Sequence, residues 1–143
     1  MDADVELLNF VYQNSQMGQH SIHQLLDATK DDILLNHLNT QLEEYNRINK
    51  EAKTLLHERG YEEKDISKMA KISSSMSINM KTIMDNSTTH IAEMMLQGST
   101  IGIIDMTKKI KNYPNSDDKI VDLAHKLLRT EESNIEHLKA FLA

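Results

Sequence analysis

The sequence predicts an all-α, single-domain helical bundle, and three observations carry that reading. Leu, Met, Lys, Glu and Gln are abundant while proline occurs once and glycine four times, a balance that favours helix over strand. Apolar residues recur at spacings of three and four through five segments. Between these segments stand short polar runs such as Thr29-Lys30-Asp31-Asp32 and Asn115-Ser116-Asp117-Asp118, the residue types that cap helix starts.

The first helix runs from about Asp2 to Asp27, with Asp2 and Asp4 at the positive end of its dipole and Leu7, Val11, Asn14, Gly18, Ile22 and Leu25 facing inward. The second carries Leu34, Leu38, Tyr45, Ala52 and Leu56 on one face until Gly60. A connection this short makes the two antiparallel neighbours. After the polar loop Tyr61 to Asp65, the segment Ile66 to Met84 repeats Ile66, Met69, Ser73, Met76, Met80 and Ile83 at helical spacing. Asp85-Asn86-Ser87 breaks and recaps the chain, and the next helix continues to about Asn112, where Pro114 forbids extension. The last helix turns Ile120, Ala124, Leu127, Leu128, Ile135, Leu138 and Leu142 inward.

Composition excludes several functions. At 143 residues the chain encloses one core, so residues 1–143 read as a single domain. With 16 basic and 22 acidic residues and a formal charge of -6, there is no basic block to meet nucleic acid. Apolar stretches such as Ile101 to Met106 fall far short of the roughly 20 residues a membrane helix needs. An acidic start followed by an amphipathic segment argues against a secretory signal, so a cytoplasmic location is expected. The absence of cysteine removes disulfides, thiolate metal sites and thiol nucleophiles together.

Four of the segments are about 25 residues long, or roughly 38 Å, and the Ile66 to Met84 segment spans roughly 28 Å. It serves either as a crossover between the second and third long helices or as a fifth core helix. With Ile91-Ala92-Glu93-Met94-Met95-Leu96-Gln97-Gly98-Ser99-Thr100 and Glu131-Glu132-Ser133-Asn134-Ile135-Glu136, this pattern resembles short bacterial ferritin-like proteins. The resemblance implies a ferritin-like four-helix bundle with a crossover helix. Di-iron members of that superfamily place Glu-x-x-His on two helices. The residues three before each histidine here are Met17, His20, Leu34, Thr54, Ser87, Asp122 and Asn134, so only Asp122-x-x-His125 comes close. The di-iron motif is missing, and no ligand carries over.

What chemistry remains is read from anomalies. His20 and His23 share a helix face but point away from the apolar stripe, and His90 with Glu93 lies off the main apolar face. These are expected at the surface, as are Glu132 and Glu136. The methionines fill cores and adaptable faces more readily than they bind copper(I); a Met-rich face over 66–84 is a candidate homo-oligomer surface. Gly18, Gly98 and Gly102 stand inside helices, each at a cost of about 1 kcal/mol relative to alanine. Counted from one end, Gly18, Gln41, Gly98 and Glu131 fall about 11 to 12 residues down, or roughly 17 Å, and should share a layer. Glu131 interrupts an apolar stripe, with Gln41 as the expected hydrogen-bond partner. A second layer gathers Asn14, Tyr45 and Asp105, with His125 at its margin.

The sequence therefore supports a non-enzymatic structural or interaction protein with a degenerate polar centre. The alternative is a metal- or small-ligand-binding protein using Glu131 and Asp105, supported by Gln41, Asn14, Tyr45 and His125. No cofactor is expected, or at most a single Fe, Mn or Zn ion, since one or two carboxylates are too few for a di-iron pair.

Overall fold

Helices begin where the capping side chains stand. A computed structural model describes residues 3–64 and 85–143, and among these it contains helices and no strand. The four α-helices are α1 (Ala3–Leu26), α2 (Asp32–Glu58), α3 (Thr88–Asn112) and α4 (Asp118–Leu138), the last followed by a 3-10 turn, Lys139–Phe141. Asp31 caps α2 by accepting the Leu34 N–H at 2.9 Å, Ser87 caps α3 through the His90 N–H, and Asp117 caps α4 through the Lys119 N–H. Gly60, at φ 82°, closes α2 in the left-handed conformation that glycine tolerates. The Tyr61 N–H then returns to the Leu56 carbonyl at 3.0 Å and the Gly60 N–H to that of His57 at 3.0 Å, the reciprocal bonding of a Schellman end.

Two helical hairpins make up the bundle, α1 against α2 and α3 against α4, joined more thinly to each other. One end gathers the start of α1, the end of α2 and the α3–α4 turn: Arg59 pairs with Asp4 at 3.2 Å and Asp117 at 3.4 Å, and Tyr113 donates its hydroxyl to Glu6. At the other end the Thr89 hydroxyl donates to the Phe141 carbonyl, and the His37 ring lies 5.2 Å from that of His137. Thus α2 ends at one pole and α3 begins at the other. The expected helix over 66–84, as crossover or core member, and its Met-rich face lie outside the described residues.

The apolar periodicity positions the core as expected along α2, where Leu34, Leu38, Tyr45, Ala52 and Leu56 are all buried. The first half of α1 is buried more widely than its stripe, because Asn9 and Gln13 also turn inward and hold the backbone of Lys64. At the other terminus the expectation for Leu142 fails: it is 41% exposed, since the helix gives way to the 3-10 turn before reaching it.

Close approach of α1 and α2 is set by Gly18. A Cβ at this position would stand 2.7 Å from the ring of Tyr45, whereas one at Gly98 would meet nothing within 4 Å. Gly18→Ala should therefore lose about 1 to 2 kcal/mol, overpacking against a buried ring exceeding the gain in helix propensity. Gly98→Ala should gain up to about 1 kcal/mol. Urea unfolding of both variants checks this, and equal shifts in the two would refute the packing argument.

Candidate functional site

The interior stripe of α4 reads Leu127, Glu131, Asn134, Leu138, so two polar side chains stand where the bundle is otherwise apolar. Glu131 is 5% exposed and Tyr45 3%. The Tyr45 hydroxyl donates to Glu131 Oε1, linking α2 to α4. Gly18 leaves the recess that receives the tyrosine ring, and Gly102 of α3 leaves one for the carboxylate, whose Oε2 lies 3.0 Å from where a Cβ would stand. Two of the three costly helical glycines are thus cut to the two halves of one hydrogen-bonded pair.

Beside the pair lies a cavity of about 40 Å³ lined from all four helices, by Asn14 and Met17 of α1, Tyr45 of α2, Met94, Met95 and Ser99 of α3, and Glu131 of α4, among others. It has room for one or two guests of about the size of water. Gly98 lines it too, and its missing side chain leaves the space open. Ser99 Oγ is buried without a hydrogen-bond partner; it lies near enough to Tyr45 and Glu131 to favour their ionised forms, although it closes a regular bond with neither.

Burial pushes the Glu131 carboxyl up to about 7, against the opposing influence of Tyr45 and Ser99. Burial, and then the charge of Glu131, holds the Tyr45 hydroxyl well above the ordinary tyrosine value. At neutral pH the carboxyl therefore exchanges readily between its two states while the phenol keeps its proton.

Of the six residues singled out in the sequence, the structure brings Asn14, Tyr45 and Glu131 to one cavity. Gln41 is buried but not the partner of Glu131: it sits one turn earlier on α2 than Tyr45 and its amide meets His37 Nε2 at 2.9 Å. The longer tyrosine, admitted by Gly18, takes that role. Asp105 and His125 are only partly buried and lie outside the cavity lining. Among the described residues no group of three or more His, Asp or Glu is placed to hold a metal ion together. His20, His23 and Glu93 are exposed, as are Glu132 and Glu136, and His90 is half-buried.

Ser99 and Asn134 carry no sequence signal of their own, although each lies three residues from an anomalous position, Gly102 and Glu131 respectively. Asn134 reaches towards Tyr45 from one side and lines a second, open groove between α2 and α4 from the other, with Gln41, His37 and His137. Burial, then the neighbouring His137, lowers the His37 pKa below its ordinary value.

No family profile, curated protein or solved structure matches the chain. Among the described residues, no helix is long and apolar enough to cross a membrane.

A carboxyl whose pKa rises from 4.5 in the open chain to about 7 in the fold contributes most below 4.5 and costs stability as pH rises to 7. The loss amounts to roughly 3 kcal/mol. Glu131→Gln, which still accepts the Tyr45 hydroxyl, should remove this slope, so that its stability relative to wild type rises from pH 4.5 to pH 7 and then levels. A difference independent of pH in urea titrations would refute the assignment. Tyr45→Phe, which removes the bond favouring the carboxylate, should raise the Glu131 pKa further, as followed by carboxyl carbon shifts in NMR.

Proposed function

We propose that this chain is a non-enzymatic ferritin-like bundle that acts by binding rather than by turnover, its polar centre both fixing the register of the helices and holding one small guest. The single observation that supports this is the placement of one carboxylate and one phenol at the edge of a cavity of about 40 Å³ that Asn14, Ser21 and Ser99 also line. The carboxylate already accepts one hydrogen bond, and its second oxygen lies against Gly102. Such a centre suits one small cation or polar molecule better than the four carboxylates and two imidazoles of a di-iron pair.

The ferritin-like reading itself rests on the sequence pattern, with a crossover between α2 and α3. The opposite placement of the end of α2 and the start of α3 supports it, because a connection between them has to span the bundle's length.

Native mass spectrometry of the protein purified without chelator tests the proposal. One small guest per chain, be it a metal ion or a polar molecule, is expected, and Glu131→Gln should lose it while keeping its helical circular dichroism. Bare protein mass after anaerobic loading with metal ions and small polar molecules would overturn it.

A further inference from the structure

Spacing alone assigns the methionines to packing, but the fold gives three of them a shared space. Met17 from α1 and Met94 and Met95 from α3 line the same cavity as Glu131 and Ser99. Met94 and Met95 are buried at 8% and 5% exposure. Neighbours in sequence diverge by about 100° around a helix, so both reach one cavity only because it lies in the angle between them.

The chemistry of these donors discriminates among guests. Calcium takes roughly six to eight oxygen ligands and magnesium a near-ideal octahedron of them, and zinc takes four donors drawn from thiolate, imidazole and carboxylate. Among the described residues, the cavity lining holds one carboxylate and no imidazole. A divalent ion would keep an uncompensated buried charge, which is costly. A monovalent ion is neutralised by Glu131 alone. Thioethers are soft ligands that select copper(I) among biological metals, and an apolar surround favours a low-charge complex.

We propose that the central cavity is a site for one soft monovalent metal ion, copper(I) or its analogue silver(I), bound by the thioethers of Met17, Met94 and Met95 and neutralised by Glu131. Ser99, whose buried hydroxyl has no partner, supplies a further oxygen. The proposal rests on the reading of the centre as a binding site and gives that guest a class.

The test is anaerobic titration of the full chain with copper(I) under ascorbate, against bicinchoninate as competing chelator. One ion per chain is expected. The triple variant Met17→Leu, Met94→Leu, Met95→Leu preserves volume and apolarity, and should lose the ion while retaining its helical circular dichroism. Glu131→Gln, which removes the neutralising charge, should lose the ion as well.

Failure of the wild type to compete for copper(I), or undiminished uptake by the triple variant, would overturn the proposal. Single-site binding of Fe(II), Mn(II) or Zn(II), lost on Glu131→Gln, with no copper(I) uptake would overturn the soft-ion assignment yet leave the centre a binding site. Should no ion and no small polar molecule bind at all, both readings fall. If the triple variant unfolds, selective silver(I)-induced shifts of the Met17, Met94 and Met95 methyl resonances in the wild type decide the matter, and their absence overturns the proposal.

Discussion

The rest of the structure depends on the constraint of keeping one carboxyl group at the centre of a four-helix bundle. An isolated carboxylate among leucines and isoleucines is costly to desolvate, and the protein meets that cost with a phenolic hydroxyl from the opposite hairpin. Accommodating the pair then dictates backbone composition at two remote places. Gly18 allows the aromatic ring to lie against α1, and Gly102 allows the carboxylate to lie against α3. Four helices are thereby fixed about one bond between residues 86 positions apart.

The partition of residues along each helix follows from this centre. Apolar packing dominates towards both poles, where leucines and isoleucines are fully buried. Among the described residues, Ser99, Gln41 and Asn134 near the middle retain buried atoms without partners, as does Ser116 in the α3–α4 turn. A native interior leaves few such atoms. The poles are held differently, by exposed or half-exposed charges such as the Asp4, Arg59 and Asp117 cluster. Screening by solvent makes these weak contributors individually.

Much of the helical organisation was legible in the sequence, and the reasons are physical. Caps and periodicity are local signals, so Asp31, Ser87 and Asp117 mark helix starts, and the glutamate inside an apolar stripe of α4 announced its own burial. Counting residues from a shared end gives depth along a helix to about one turn, enough to bring Gly18, Gly98 and Glu131 to one cavity. Hence Gln41 was expected where Tyr45, one turn further along α2, stands. Counting gives azimuth less well, and Asp105 and His125 were expected in a layer whose cavity they do not line. The wide burial at the start of α1 was illegible because it depends on where Lys64 returns after α2. Likewise, periodicity carried past Leu138 has no means of registering that the helix tightens into a 3-10 turn and leaves Leu142 in solvent.

The division into two hairpins carries a consequence for how the chain assembles. Each hairpin joins neighbours in sequence and can form from local contacts, whereas the acceptor and donor of the central bond lie on different hairpins. Before the halves meet, the α1–α2 unit presents a phenol and the α3–α4 unit a carboxyl, each on a face otherwise greasy. Sliding one half by a helical turn would leave both groups stranded in hydrocarbon. Mutual recognition of the halves is therefore selective in the way a single polar residue sets the alignment of a coiled coil, and the misaligned dimer of hairpins is the arrangement the sequence is built to reject.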